Sequence, residues 1–199
     1  MVRIVADSTC DLSKELVKKY KIEIVPLHIV LGEKEYLDGV EITPDAIYEW
    51  ADKYEDTPKT SAVDFEHALE VLKQVVDTKD EMIIFTISEK MSTTANVFRM
   101  AAEELELGER VTVIDSANLS TGMGLMVLKA ADMVMTGCIM KEIVEEIEIM
   151  KSKISASFVV DTLTYLHRGG RCNSVAALAG GVISSHCGAG TLGVLYVRE

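Results

Sequence analysis

Two arginines flank a glycine pair in the run Thr162–Arg171, which reads TLTYLHRGGR and follows the apolar segment Ala156–Val160. Glycine allows the backbone to approach a ligand closely, and arginine supplies fixed donors that suit a carboxylate or a phosphate. This pattern indicates a site for an acidic small molecule. The alternative is a helix that ends at the first glycine and is followed by solvated arginines. The candidate binding residues are Arg168, Gly169, Gly170 and Arg171.

Hydroxyl side chains cluster at two further places in the chain. Thr60 and Ser61 precede a predicted helix, and Ser92, Thr93 and Thr94 open another helix after a buried strand. Hydroxyls beside the free amides of a helix start can hold an oxyanion, although ordinary N-capping would place the same residue types there. Together with an arginine, the two clusters would form a carboxylate cradle.

Composition and missing motifs exclude several classes of function. The formal net charge of −12 argues against nucleic-acid binding and disfavours adsorption to anionic membranes. The sequence contains no G-x-S-x-G, no P-loop and no His or Cys pair with metal-ligand spacing. We therefore expect no metal and no cofactor.

Cysteine usage and the first residues indicate the compartment. Four cysteines lie far apart in the sequence without zinc or redox spacing, which is typical of reduced thiols in a cytoplasmic protein. No signal peptide precedes the first predicted strand. The uncharged stretch Val175–Val197 is long enough to span a bilayer, but its five glycines favour turns and close packing. We therefore expect no stable membrane insertion.

Strand and helix patterns alternate over the first 155 residues. Buried apolar runs predict strands, and apolar residues at helical spacing predict the helices between them. The predicted strands are Val2–Ala6, Glu23–Leu31, Met82–Ile87 and Val111–Ile114. The predicted helices run to Tyr20 from a cap at Asp11 or Ser13, then over Thr43–Tyr54, Asp64–Val76, Ser92–Leu105, Leu119–Met135 and Met140–Lys151.

This alternation predicts an α/β fold with βαβ units and a Rossmann-like parallel sheet. Ligands of such sheets bind beyond the carboxyl ends of the strands. Asp7-Ser8, Ser88–Thr94 and Asp115-Ser116 follow three predicted strands. They would form the polar end of a pocket, although turn chemistry alone also enriches these residue types.

We predict two domains, residues 1–155 and residues 156–199. The second part has one clear strand, the arginine-glycine run and a glycine-rich apolar end. About 40 residues do not readily build an independent core. The second α/β domain is therefore expected to be incomplete, as in a truncated or frameshifted chain.

The order of five segments resembles the DegV family, bacterial fatty-acid-binding proteins with two α/β domains. The agreement in order and spacing extends over about residues 1–180, and the last segment is the most specific. The segments are Asp7–Leu12, Thr60-Ser61, Ser92–Thr94, Val113–Ser116 and Tyr165–Arg171.

The resemblance implies a lipid carrier rather than an enzyme. In the family an acyl chain lies in a tunnel between the domains, and a threonine and a serine hold its carboxylate; by position these are Thr60 and Ser92. Amides near Thr93 and Thr94 would complete the cradle. The arginine-glycine motif of the family faces the ligand head and a partner surface, and which of Arg168 and Arg171 has which role stays open. The family presents its bound acid to a separate fatty acid kinase.

The chain departs from the family pattern at Ala62–Asp64, where a glutamine and a proline-rich turn are usual, and at Thr93, where a glycine is usual. Two alternatives to the carrier stay open. One is a non-functional truncated fragment with an exposed apolar tail. The other is a phosphotransferase subunit related to dihydroxyacetone kinase, which would need a substrate-anchoring histidine or a set of metal-binding carboxylates.

Overall fold

The computed structural model describes residues 1–159, 163–169 and 192–198. Its strands are β1 (Val2–Asp7), β2 (Glu23–Val25), β3 (His28–Leu31), β4 (Lys34–Leu37), β5 (Lys59–Ser61), β6 (Glu81–Thr86), β7 (Val111–Asp115), β8 (Ile154–Val159) and β9 (Leu192–Val197). Its helices are α1 (Lys14–Tyr20), α2 (Pro44–Tyr54), α3 (Phe65–Val76), α4 (Thr94–Glu104), α5 (Ser120–Met135), α6 (Met140–Lys151) and α7 (Thr164–Arg168). A 3₁₀ turn covers Ser8–Cys10.

A four-stranded parallel sheet has the order β2-β1-β6-β7. Neighbouring residues Ile83, Ile84 and Phe85 of β6 are all fully buried, so both faces of this strand are covered. A parallel sheet with both faces covered is the arrangement that near-continuous apolar runs predict. The α/β fold class and the parallel sheet are confirmed.

Helices α5 and α6 cover one face of this sheet. Ile4, Ile83 and Phe85 share a core cluster with Met123 of α5 and Ile143 of α6. The alternate strand residues are directed to the opposite face. There α4 contacts β6 and β7 and also packs on α3. Helices on both faces keep the side edges and carboxyl ends of the strands available for loops.

Helix α5 packs closely on the 3₁₀ turn after β1. A Cβ atom placed on Gly124 would lie 2.6 Å from the carbonyl oxygen of Cys10 and 3.1 Å from a methyl carbon of Leu12. Only a residue without a side chain allows this approach. The glycine therefore sets the distance between the helix and the turn.

The prediction of one strand over Glu23–Leu31 is wrong. The chain forms β2 up to Val25 and resumes as β3 at His28, and these two strands belong to different sheets. Pro26 lies between them and has no backbone N–H to continue a ladder.

A three-stranded antiparallel sheet, which the sequence did not predict, has the order β4-β3-β5. Gly32, at φ +64°, forms part of the tight turn that joins β3 to β4. Ile29 and Leu31 of β3 pack with Ile42 and Ile47, and Trp50 of α2 packs against this cluster. Helix α2 begins as predicted, with Pro44 in its first turn after the N-cap Thr43.

Contacts divide the described chain into two compact units. The first consists of Met1–Val25, Ala62–Ile154 and the C-terminal residues from Val197, and the second consists of Pro26–Ser61 and Ser155–Tyr196. The predicted boundary between residues 155 and 156 lies next to the change of unit between Ile154 and Ser155. The prediction differs in assigning Pro26–Ser61 to the first domain. Where the second domain begins and ends stays a prediction.

No helix within the described ranges is long and apolar enough to cross a membrane. The last six residues of the uncharged stretch Val175–Val197 form β9, which pairs with β8. Residues 175–191, together with the candidate residues Gly170 and Arg171, lie outside the described residues.

The large apolar residues of α3 do not all face the core. Phe65, Leu69, Leu72 and Val76 recur at helical spacing, but Phe65 and Val76 are exposed. The residues that are buried are Ala68, Val71, Leu72 and Val75. The helix carries apolar residues on adjacent sides, and the true face includes a small alanine that a count of large side chains overlooks.

Replacing Val75 and Val76 one at a time tests which face of α3 is buried. We expect Val75→Ala to lower the free energy of unfolding by about 2 kcal/mol, because it removes two buried carbons and leaves a cavity. The matched change Val76→Ala should cost less than about 0.5 kcal/mol. Urea unfolding of both variants measures the difference, and equal losses would contradict the observed face.

Candidate functional site

The carboxyl ends of β1 and β6 are joined by the carboxylate of Asp7. This side chain is fully buried. Its Oδ2 accepts a hydrogen bond from the backbone N–H of Ile87 at 2.7 Å. Its Oδ1 accepts from the backbone N–H of Thr9 at 3.0 Å and from the Thr9 hydroxyl at 2.5 Å. Asp7 therefore fixes both the turn after its own strand and the first residue of the loop after β6.

Asp115 has a similar role at the end of β7. Its Oδ1 accepts from the backbone N–H of Ala117 at 2.8 Å and from that of Glu89 at 3.0 Å. The N–H of Ser88 donates to the carbonyl of Asn118 at 2.9 Å. Polar residues do collect at this sheet edge, as expected, and these bonds tie the loops after β6 and β7 together.

The loop after β6 leads to the hydroxyl cluster Ser92, Thr93 and Thr94. The Oγ of Ser92 accepts from the N–H of Thr94 at 3.2 Å and lies 2.9 Å from the Thr94 hydroxyl oxygen. Thr94 is fully buried and Thr93, the N-cap residue of α4, is exposed. Ser92 is therefore half-buried, and its hydroxyl oxygen is bonded to the buried Thr94 at the start of α4.

Sequence reasoning missed a second tie at this edge, between Asp11 and Ser120. The Ser120 hydroxyl donates to Asp11 Oδ2 at 2.5 Å, and both residues have a left-handed backbone with φ near 50°. The two positions are 109 residues apart, so no local pattern could have paired them. The bond holds the N-terminus of α5 against the turn after β1.

Cys10 lies in the same turn and is buried. Burial raises the pKa of its thiol to about 12, and the negative charges of Asp7 and Asp11 act in the same direction. The thiol is therefore protonated at neutral pH and does not supply a nucleophile.

Thr60 and Ser61 were expected at a helix start, and this placement is wrong. Both residues belong to β5, whereas α3 begins at Phe65 with Asp64 as its N-cap. Successive side chains of a strand point to opposite faces. Because Thr60 and Ser61 are adjacent in β5, their hydroxyls lie on opposite faces of the strand and cannot both contact the same ligand atom.

On one of these faces Ser61 takes part in a polar cluster. Its hydroxyl donates to Glu35 Oε1 at 3.4 Å, and the same oxygen lies 3.1 Å from Nδ1 of His28. Thr60 lies on the other face, opposite Ile29 in the register. Thr60 and Ser61 are both exposed.

The arginine-glycine motif begins at the end of α7. Arg168 is exposed at the last helical position, and Gly169 is the C-cap, with its N–H bonded to the carbonyl of Tyr165 at 2.9 Å. The φ of Gly169 is −76°, so its conformation does not require glycine. The helix end that was the alternative interpretation is therefore present, and it leaves the arginine side chain exposed.

Tyr165 connects α7 to α2 within the second unit. Its hydroxyl donates to Asp52, and this bond to a carboxylate, aided by burial, raises the pKa of the phenol. The start of the arginine motif is thereby held on the segment Pro26–Ser61.

The candidate residues fall into two groups. Ser92, Thr93 and Thr94 are in the first unit, and Thr60, Ser61, Arg168 and Gly169 are in the second. Among the residues that the structure describes, no three His, Cys, Asp or Glu side chains are grouped as metal ligands.

Comparison with known proteins gives a family match over most of the chain. The model of a family described as uncharacterised proteins of the DegV family matches residues 1–181. A DegV domain-containing protein from Clostridium perfringens is 36% identical over 177 residues, which cover 89% of this chain and 63% of the relative. The chain thus spans a little less than two thirds of the length of this relative.

Two solved structures are similar in fold and sequence. A DegV family protein from Thermus thermophilus, described by its fatty acid binding, is 33% identical with a TM-score of 0.79, over 85% of this chain and 60% of that one. A stearic acid-binding protein from Eubacterium ventriosum is 31% identical with a TM-score of 0.80, over 89% of this chain and 62% of that one. The resemblance drawn from the sequence motifs is confirmed, and the chain belongs to the DegV family.

Proposed function

We propose that this chain binds a long-chain fatty acid and presents the carboxylate to a separate fatty acid kinase, without catalysing a reaction itself. The observation that carries the proposal is the one-third identity to solved relatives that are described as binding fatty acids. Binding of this kind requires no cofactor. A buried acyl chain gains about 0.8 kcal/mol per methylene, so a few polar contacts are enough to fix the head group.

Ser92 is the proposed carboxylate donor of the first unit. Its oxygen accepts from the N–H of Thr94 and is bonded to the Thr94 hydroxyl. When Thr94 donates to Ser92, the proton of Ser92 is available to an anion, and the chain of donors strengthens that bond. Exposed Thr93 precedes the first helical amides, which would provide further donors.

Thr60 is the proposed carboxylate donor of the second unit. We prefer it to Ser61 because the Ser61 hydroxyl already donates to Glu35 on the opposite face of β5. Arg168 and Arg171 would supply positive charge to the ligand head or to the kinase. The exposed position of Arg168 supports either role.

The first experiment is native mass spectrometry of the purified chain, with organic extraction of bound material. We expect a stoichiometric fatty acid, or uptake of added oleate by lipid-free protein. A folded chain that carries no lipid and takes up no oleate would reject the binding proposal. Formation of a hydroxylamine-reactive acyl phosphate, after addition of a bacterial fatty acid kinase and ATP, tests the partner separately.

Removing the Ser92 hydroxyl should weaken oleate binding. We expect Ser92→Ala to raise the dissociation constant about tenfold, which corresponds to the loss of one hydrogen bond to a charged group. Isothermal titration calorimetry provides the measurement.

The matched control is Ser13→Ala. The Ser13 Oγ also accepts a backbone N–H at a helix start, that of Leu16 at 3.4 Å, so the control loses a similar cap in the same unit. Its oleate affinity should equal that of the unmodified chain. Equal affinity of the Ser92→Ala variant would show that Ser92 is only a helix cap.

A further inference from the structure

Strand β5 is a short edge strand with little to hold it. It has three residues, all exposed, and it pairs only with β3 in the three-stranded sheet that the structure describes. The register places Ser61 opposite His28, Thr60 opposite Ile29 and Lys59 opposite Val30. Such a strand frays easily unless side chains add to its ladder.

One carboxylate oxygen links all three strands of this sheet. Glu35 lies on β4, on the far side of β3 from β5. Its Oε1 is 3.1 Å from Nδ1 of His28 on β3 and accepts the Ser61 hydroxyl of β5 at 3.4 Å. Glu35 therefore reaches diagonally across the central strand and ties the two outer strands together.

The burial of His28 strengthens the link that Glu35 makes across the sheet. The His28 side chain is only 10% exposed, whereas that of Glu35 is 55% exposed. Nδ1 faces this carboxylate, so Glu35 also fixes the ring orientation of His28. A bond to a largely buried donor competes with less water than one at the open surface.

We infer that Glu35 is a positioning residue for the head-group site: by holding Ser61 and His28 on one face of the sheet, it fixes the direction of the Thr60 hydroxyl on the other face. The inference rests on the proposed function, because Thr60 is the carboxylate donor there. Glu35 itself contacts no ligand in this scheme.

The test compares Glu35→Ala with two controls. Glu35→Gln keeps an oxygen with two lone pairs and so retains both hydrogen bonds. Glu33→Ala removes the same charge from the turn of the same hairpin. Hydrogen exchange of the β5 amides and oleate affinity are measured for all variants.

We expect Glu35→Ala to speed exchange at β5 about fivefold and to weaken oleate binding about fivefold, while the melting temperature stays within a few degrees. Glu35→Gln and Glu33→Ala should match the unmodified chain in both measurements. Rescue by glutamine separates positioning from a plain effect of charge.

Unchanged exchange at β5 in Glu35→Ala would overturn the inference, and so would an equal change in Glu33→Ala. Faster exchange with unchanged oleate affinity would also reject it, because the strand would then be held without benefit to the site. If the unmodified chain binds no oleate, the proposed function fails. The exchange data then decide separately whether Glu35 holds β5.

Discussion

Replacing Asp7 with alanine is expected to lower the free energy of unfolding by about 4 kcal/mol. The buried carboxylate accepts three hydrogen bonds, one of them from the N–H of Ile87, which is itself buried. Alanine would leave these donors without an acceptor in the interior. Chemical denaturation in urea, followed by circular dichroism, measures the loss.

Asp77→Ala is the control, because Asp77 is an exposed aspartate at the end of α3. It should change stability by less than about 0.5 kcal/mol. Asp7→Asn should lie between the two, since an amide has only one oxygen to replace both acceptors. A loss of unfolding free energy below about 1 kcal/mol for Asp7→Ala would show that the carboxylate does not hold the ends of β1 and β6 together.

The second large effect is expected at Gly124. Alanine inside a helix normally stabilises it by about 0.5–1 kcal/mol relative to glycine. Here the added carbon would lie 2.6 Å from the carbonyl oxygen of Cys10, so helix or turn must move. We expect a net loss of about 3 kcal/mol from this overpacking, measured by urea unfolding.

Thr121→Ala provides the comparison on the same helix. Thr121 is exposed, and alanine should there stabilise α5 slightly or leave it unchanged. Stabilisation by Gly124→Ala would mean that the turn after β1 yields readily to α5. Together the two variants separate helix propensity from packing.

The parallel sheet and its helices were predictable because their signals are local. The apolar run within Glu81–Thr86 predicts a buried strand. The N-cap Thr43 followed by Pro44 predicts the start of a helix. Helix α6 has the predicted bounds, Met140–Lys151. Element type is clear where many neighbouring residues agree.

The antiparallel sheet could not be predicted in the same way. The three residues of β5, Lys-Thr-Ser, carry no apolar signal, and only pairing with β3 makes them a strand. Pro26 indicates that β2 and β3 are separate strands, because proline interrupts a ladder. The apolar residues on both sides of Pro26 favour a single strand instead.

For the candidate residues, the structure tests only the elements on which they lie. The cluster Ser92–Thr94 stands at a helix start as expected. For Thr60 and Ser61 the expected helix start is a strand, and their alternation separates the two hydroxyls. The ties through Asp11, Ser120 and Glu35 join distant positions, which one sequence cannot reveal. The roles of all candidate residues in ligand binding stay predictions.

The second unit is assembled from two segments that lie far apart in the chain, and this has a consequence during translation. Tyr165 bonds Asp52 across 113 residues, so Pro26–Ser61 leaves the ribosome long before its partner segment exists. At about 5–20 residues per second, this segment would wait roughly 6–20 s. Through that interval the outer edges of β4 and β5 are available to chaperones and to neighbouring nascent chains.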